Sequence, residues 1–435
     1  MYHNTNLEDR PSLLLWLTLE RAFFYMTIEK ILGKIFTNSL RDGFYVDPYF
    51  RQLAALGGVP LLTFVLIFFN LSLSELIQRL RLRKEPSVWP ALRVAGPTFL
   101  TALFVVLASY AWGMRASARI NHEIAQSTEI FQFGVIQGNI GDFEKVAAET
   151  GNTAAADKIL DVFTSLSDQA LSTLPRPDFL VWPETTYPAV FRSPLSNREL
   201  ARDQRVENFV NSNGVPLLFG GYDRQNDKDF NSLFMLSPTA LSPLDLQVYH
   251  KHVLLPFGEY IPLMEDVDWI KRLFPQMGFF GRGPGPMVFT LLSPDRRPIR
   301  LSPIICYEAL FPYFILEAAK KDTQLILNVT NDSWFGAYGE PYLHLALTVF
   351  RSIESRLPQI RATNTGISTL ILPNGQMVDQ SNMMVPEVRS YRVPLIPKHP
   401  TLMTMWGDWF GWFCALLATP LLLFSCLIIY RKKGS

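Results

Sequence analysis

Three separated segments of this 435-residue chain end an apolar run on a side chain that can do chemistry. LSPIIC ends on Cys306, with Tyr307 and Glu308 directly after it. FLVWPE carries Glu184 past an apolar run and before a Thr-Thr pair, and YHKHVLLPFGEYIP sets Lys251 and Glu259 around another. A thiol, carboxylates and an ammonium are groups that attack, move protons and stabilise charge. Taken singly, each signal is weak. A glutamate at a strand end is commonly a solvated cap, and a free cysteine is commonly a small buried hydrophobe. Position is the stronger clue, because ligand sites gather at strand ends in α/β sheets. Other chemistries are disfavoured. His250 and His252 alternate as on a strand, and the chain has neither HExxH nor paired CxxC, so no metal site is expected. No Gly-x-Ser-x-Gly elbow points to a serine hydrolase. Of the three cysteines, Cys414 and Cys426 sit in a C-terminal apolar run, which leaves Cys306 without an intradomain disulfide partner.

The elements that must position these groups lie between about Thr128 and Pro394. Short apolar runs at Phe131–Gln137, Phe179–Trp182, Val215–Gly220, Leu301–Cys306, Leu325–Val329 and Ile367–Leu372 read as strands. Glu144–Leu174, Asn197–Asn211 and Pro341–Leu357 read as helices among them, so packed βα layers are expected. Pro and Gly cluster in Met277–Pro286, an aromatic stretch too irregular for a regular element and of the kind that forms functional loops.

Either side of this block the composition changes. Leu53–Ser74, Val94–Met114 and Trp409–Tyr430 run 22, 21 and 22 residues without a charge. Each matches the roughly 20 residues that a helix needs to cross a bilayer core. Ser12–Ile28 is also apolar but holds Glu20 and Arg21 at its centre. It reads either as an interfacial helix or as a further span whose charges turn inward. The first ten residues lack the basic n-region of a signal peptide. Formal net charge is +1 overall, but +4 for 1–127, −6 for 128–395 and +3 for 396–435. No global basic field points to nucleic acid. Basic residues crowd Glu75–Arg93 and the tail at Arg431, Lys432 and Lys433, which puts both in the cytoplasm. The organisation expected is therefore a membrane region over 1–127, with spans at 12–28, 53–74 and 94–114. An outer-face domain over 128–395 follows, and then a last span at 409–430 with its basic tail.

In the order Glu184, Lys251, Cys306, the three segments resemble the nitrilase superfamily. FGVIQGNI, WPETTYP, ICYEALFP, NDSWFG and RATNTGIS followed by PNG extend the match. With apolar spans on both sides, the chain is similar to the membrane-embedded branch of that superfamily, the apolipoprotein N-acyltransferase family. The resemblance covers roughly Phe131 to Arg392 and the final span.

That resemblance implies an α/β fold, a nitrilase-like αββα sandwich flanked by transmembrane helices. It implies Cys306 as nucleophile on a phospholipid acyl ester, Glu184 as general base, and Lys251 as partner of the oxyanion and promoter of the thiolate. Glu259, Tyr307 and Glu308 would support them, with the backbone N–H after Cys306 as an oxyanion donor. It implies no cofactor and no metal. The partners would be a phospholipid acyl donor and a diacylglyceryl lipoprotein acceptor, on the periplasmic face of a bacterial inner membrane, in a monomer. Two departures stand out. The N-terminal membrane region is short for the family, and the family's Gln-His pair after WFG is Leu343-His344 here. A water-using amidase and a non-catalytic scaffold are the alternatives; the intact Glu184, Lys251 and Cys306 set speaks against the scaffold. Trp269, Phe274, Phe279, Phe280 and Trp334 are candidate substrate-binding residues. The first four, with Ile270, Leu273 and the cations Lys271, Arg272 and Arg282, predict a membrane-dipping lid over Cys306.

Overall fold

The computed structural model describes residues 11–32, 40–82, 86–239, 245–262, 279–333 and 336–420. They form two compact units, one reaching to Ile120 and resuming at Pro400, the other running from Asn121 to His399.

The first unit is helical. Helices Pro11–Ile31 and Trp89–Gln126 contain the segments expected at 12–28 and 94–114, and Ala54–Arg81 covers all but the first residue of the one expected at 53–74. Phe50–Arg81 and Trp89–Gln126 are long and apolar enough to cross a membrane. In Pro11–Ile31, Glu20 is buried and Arg21 exposed, so the central charged pair does not face one way. The C-terminal apolar helix is described over Phe410–Pro420, and the rest of the run expected at 409–430 lies outside the described residues. One kink shows how sequence shapes this unit. Pro60 has no N–H to give the Leu56 carbonyl, the chain leaves helical geometry at Gly57 and Gly58, and Trp409 Nε1 donates to the Leu56 oxygen at 2.9 Å. Gly58 has φ +66°, and a Cβ there would lie 2.8 Å from Met403 Cε.

The second unit is an α/β sandwich. Its strands are β1 (Ile130–Gln137), β2 (Phe179–Val181), β3 (Leu217–Gln225), β4 (Lys228–Ser237), β5 (Asp245–His250) and β6 (Phe289–Leu292). They continue with β7 (Pro298–Ile305), β8 (Leu325–Thr330), β9 (Gln359–Thr363), β10 (Thr369–Ile371), β11 (Met377–Val378) and β12 (Glu387–Pro394). Two six-stranded sheets result, ordered β12-β1-β2-β3-β4-β5 and β11-β10-β9-β8-β7-β6. Both follow one plan. Three parallel strands, β1-β2-β3 or β7-β8-β9, carry one antiparallel neighbour on one side and two on the other.

Strand alternation builds two cores. Phe131, Phe133, Val135, Phe179, Val181 and Leu218 share one cluster with Leu301, Leu327, Val329 and Ile360 of the other sheet. Their neighbours Ile136, Leu180, Trp182, Leu217 and Phe219 point the other way, to Leu160 and Phe163 of helix Thr153–Leu171 and Val206 and Val210 of helix Asn197–Asn213. A strand covered on both faces reads as a continuous apolar run, which is why β1, β2 and β3 are legible in sequence.

One expected helix is two. Glu144–Leu174 divides into Asp142–Glu149 and Thr153–Leu171. Gly151, at φ +100°, takes the chain out of the first, and the Asn152 side chain accepts from Ala154 N and Ala155 N to cap the second.

Candidate active site

Four loops leaving the carboxyl ends of strands meet here: Glu184 three residues past β2, Lys251 directly after β5, Cys306 directly after β7, and Asn331–Asp332 directly after β8. Glu184 stands on a tight turn in which Thr185 has φ +47°. Gly220 of β3 makes room for it, because a Cβ there would fall 2.4 Å from Thr185 N and 2.6 Å from Glu184 Cα. Cys306 likewise has φ +48°, unusual for a side chain with a Cβ and a conformation that its surroundings must hold.

Glu308 supplies that hold. Its Oε2 accepts from Ile305 N at 2.7 Å, its Oε1 accepts from His252 N at 2.7 Å and Val253 N at 3.1 Å, and Tyr249 Oη donates to both oxygens at 2.8 Å. The turn that carries Cys306 is thus tied to the segment that carries Lys251. Burial pushes the Glu308 carboxyl up to about 7, against these donors and Lys251.

The charges form a buried cluster. Lys251, 2% exposed, places Nζ 3.2 Å from Glu184 Oε1 and 2.9 Å from Glu259 Oε1. Asn231 Nδ2 donates to the same two oxygens at 2.8 Å each. Glu184 Oε2 accepts from Asn331 N at 2.9 Å, and Glu259 Oε2 from Leu255 N at 2.8 Å. Burial alone would lower the Lys251 ammonium, but Glu184 and Glu259 outweigh it and hold Lys251 well above the ordinary lysine value. Lys145, also buried, donates to Thr185 Oγ1; burial lowers it, opposed by Glu149 and Glu184.

Burial raises the Cys306 thiol far above the ordinary cysteine value, and the Glu184 charge adds to the rise. Lys251 and a hydrogen bond with the Thr330 side chain pull it down without prevailing. At neutral pH the resting cysteine is therefore a thiol. The expected promotion of the thiolate by Lys251 is present in direction but is the smaller effect.

A second network backs the cysteine. His344 Nε2 lies 3.3 Å from the Cys306 carbonyl oxygen and its Nδ1 3.3 Å from Asp332 Oδ1. Asp332 is fixed by Arg361 at 2.7 Å and by the Thr330 hydroxyl at 3.2 Å. Burial would raise the Asp332 carboxyl, but Arg361 and His344 hold it down at about 2.

Among the described residues no group of His, Cys, Asp and Glu is arranged to hold a metal. What remains is a thiol within electrostatic reach of a carboxyl group and an ammonium, groups of the kind that carry out acyl chemistry at a carbonyl. The carbon-nitrogen hydrolase family profile matches residues 134–393, which include all of these groups. The chain belongs to the carbon-nitrogen hydrolase family. Among relatives of this family member, it is 37% identical over 291 residues to a Bdellovibrio bacteriovorus protein named apolipoprotein N-acyltransferase, covering 65% of this chain and 52% of that one. A Geobacter metallireducens protein of the same name is 29% identical over 389 residues, covering 88% of this chain and 68% of the relative. The chain thus spans about half the length of the first relative. Among solved structures, the NitN amidase from Neterenkonia sp. AN1 is similar at 16% identity and TM-score 0.42, over 61% of this chain and 93% of that one.

Of the residues singled out in sequence, Glu184, Lys251 and Glu259 are in direct contact, and Cys306 lies within electrostatic reach of the first two. Glu308 is buried behind the cysteine, and Tyr307, 5% exposed, meets Phe311 edge to face at 5.0 Å. Phe279 and Phe280 are half-buried. Phe280 stacks on Tyr222 at 5.6 Å, and Phe280 N, Gly281 N and Gly283 N donate to the carbonyls of Glu259, Asp229 and Lys251. The Arg282 guanidinium lies over the Tyr260 ring. Trp269, Ile270, Lys271, Arg272, Leu273, Phe274 and Trp334 fall outside the described residues. Sequence reading missed Lys145, Asn231, Asn331, Asp332 and Arg361 as individual residues, and named His344 only as half of a family pair. NDSWFG and RATNTGIS held three of them, whereas nothing local marks Lys145 or Asn231.

Proposed function

We propose that this carbon-nitrogen hydrolase is a membrane N-acyltransferase. It moves an acyl chain from a phospholipid, through a thioester on Cys306, to the N-terminal amine of diacylglyceryl-cysteine lipoproteins. One observation carries the reading: a relative named for that activity matches 88% of the chain. Since Asn121–His399 makes up less than two thirds of the sequence, that match extends into the apolar helices as well as the catalytic domain. A hydrolase of soluble amides has no need of such helices. The basic segment Glu75–Arg93 and the basic tail favour a multi-pass protein of the bacterial inner membrane with its catalytic domain on the periplasmic face.

The geometry supports the following course. The thiol is protonated at rest, so Glu184 takes its proton as sulfur attacks the ester carbonyl, and no free thiolate accumulates. The negative oxygen that forms is met by the Lys251 ammonium, which Glu259 continues to hold charged while Glu184 carries the thiol proton. As the C–O bond breaks, Glu184 returns the proton to the departing lysophospholipid oxygen, and the acyl group stays on sulfur. The amine then attacks the thioester, Glu184 takes a proton from its nitrogen, and the sulfur leaves and is reprotonated. An ester is exchanged for an amide without ATP. Glu259 and Asn231 hold Lys251 and Glu184 in register, since Asn231 Nδ2 and Lys251 Nζ both touch Glu184 Oε1 and Glu259 Oε1.

The test is incubation with labelled phospholipid and a synthetic diacylglyceryl peptide. N-acyl peptide is the expected product. Free fatty acid with no N-acyl peptide would replace this reading with a hydrolase.

A further inference from the structure

Two buried asparagines donate to Glu184, Asn231 through its side chain and Asn331 through its backbone, and each has one side-chain atom without a partner among the described residues. For Asn231 that atom is Oδ1, an acceptor, which cannot meet a negative oxygen. For Asn331 it is Nδ2, a donor.

The orientation of Asn331 follows from its neighbours. Ile140 N donates to Asn364 Oδ1 at 2.9 Å, and Asn364 Nδ2 donates to Ile140 O at 2.8 Å. That double contact allows Asn364 one orientation, with its N–H groups available to others. Asn364 Nδ2 also donates to Asn331 at 3.1 Å, so Asn331 must present Oδ1 there and Nδ2 elsewhere. Asn331 is 5% exposed, and burying an amide N–H with no acceptor is costly. Its backbone N–H is spent on Glu184 Oε2. Ile305 pairs with Val329 at the end of the parallel β7–β8 ladder, and the Cys306 thiol shares a hydrogen bond with the side chain of Thr330, the residue before Asn331. The free donor therefore belongs to a residue anchored on Glu184 through its backbone and next in sequence to the hydrogen-bond partner of the thiol.

We infer that Asn331 Nδ2 is a catalytic donor to the carbonyl oxygen of the acyl group, acting with Lys251 as that oxygen becomes negative. The inference deepens the acyl-transfer reading and rests on it only in so far as Cys306 attacks a carbonyl. A neutral donor complements the ammonium. Lys251 already serves two carboxylates, whereas Asn331 Nδ2 has no other partner among the described residues and, with its oxygen held by Asn364, reorganises little as charge develops.

The experiment compares two probes of Cys306 on the full-length protein in detergent, both read at that residue by mass spectrometry. One is acylation by p-nitrophenyl butyrate, which passes through an oxyanion. The other is labelling by methyl methanethiosulfonate, which involves no carbonyl. For Asn331→Ala the ratio of the two rates should fall by about 10²–10³ from wild type, the usual loss for one oxyanion donor. If both rates fall together, or neither falls, Asn331 is a positioning or structural residue and the inference is wrong. Should that variant not fold, Asn331→Asp keeps the oxygen that Asn364 holds and removes the donor. The same ratio then decides, because any general loss of thiol reactivity cancels. Wild-type protein that reacts with the p-nitrophenyl ester but never with phospholipid would sink the proposed acyl donor and leave the role of Asn331 standing on the ratio alone.

Discussion

Glu184, Lys251, Glu259, Asn231 and Lys145 all belong to the half of the domain built on β1–β5, and Cys306, Asn331, Asp332 and His344 to the half built on β6–β11. The two sheets share one strand plan but are packed differently. Outside the first, Leu180, Trp182, Leu217 and Phe219 meet helices through hydrocarbon. In the second half Asn328, Gln359, Arg361, Arg351 and Glu354 are all at most 2% exposed, with Arg351 and Glu354 paired at 2.8 Å. The apolar half delivers the charges, and the polar half delivers the nucleophile and the network that holds it. Neither half is a site alone. The contacts that cross between them, Asn331 N to Glu184 and Glu308 to the His252 and Val253 amides, set the register on which the chemistry depends. The high proton affinity of the thiol arises at the same seam, from burial plus a carboxylate contributed by the other sheet.

Removing one contribution from each half should break the site unequally. Cys306→Ala, on the second sheet, should abolish both the acyl-enzyme and N-acyl product, because no other described group there can form the thioester. Mass spectrometry of the variant with labelled phospholipid checks it, and an acyl group on any other residue would mean the nucleophile is misassigned. Glu184→Gln, on the first sheet, should slow acyl transfer by about 10²–10⁴ and not abolish it, since a general base contributes roughly that factor. Steady-state rates at saturating lipid would test the ordering. Equal loss from the two variants would mean that Glu184 does more than move protons.

Two glycines sharpen the contrast. A Cβ on Gly220 would meet backbone, 2.4 Å from Thr185 N, so Gly220→Ala must displace the turn that carries Glu184. A Cβ on Gly366 would meet the Asp332 carboxylate at 2.1 Å, a side chain that has some freedom to turn, though Arg361 and Thr330 resist. Overpacking of this kind typically costs about 1–3 kcal/mol, and a shift near 1 Å in a catalytic group costs about 10²-fold in rate. Gly220→Ala should therefore lose about 10²-fold in acyl transfer, and Gly366→Ala clearly less. A larger loss from Gly366→Ala would show the network behind Cys306 to be the stiffer of the two.

The same contrast explains what the sequence displayed. In the apolar half, FGVIQ, FLV and VPLLFG announce strands because both faces are covered by hydrocarbon. In the polar half β9 reads QIRAT, and the buried Gln359, Arg361 and Thr363 break the apolar signature that marks a strand. Long-range partners, Asp332 for Arg361 and Gln137 for Thr363, make those two residues affordable inside. Glu184 and Cys306 were visible because each follows an apolar run, Lys251 because it borders one, and the three because their motifs keep the order of a known family. Lys145 and Asn231 were not, because an amphipathic helix and a β4 position of mixed composition give no local sign that they meet Glu184 or Thr185 across the fold.

Glu340 should produce the smallest effect, and it tests whether the polar half is tuned by charge. It lies 4.0 Å from His344, and its Oε2 is buried without a partner among the described residues. Burial pushes its carboxyl up to about 7, the Asp332 charge adds to this, and Arg361 opposes it. The folded value thus stands above the unfolded value of 4.5, so the folded protein holds an extra proton between them. That contribution to stability is complete below the unfolded value and is lost as pH rises through about 7. Each unit of difference is worth about 1.4 kcal/mol, and partial exposure leaves a net effect on the order of 1–2 kcal/mol. Glu340→Gln is neutral at every pH. From pH 5 to pH 8 the melting temperature of wild type should fall about 2–6 °C further than that of the variant. Glu308, also held at about 7, titrates in both proteins and cancels in the comparison. Parallel melting curves for the two proteins would mean that Glu340 ionises normally, and that Asp332 and Arg361 alone set the electrostatics behind Cys306.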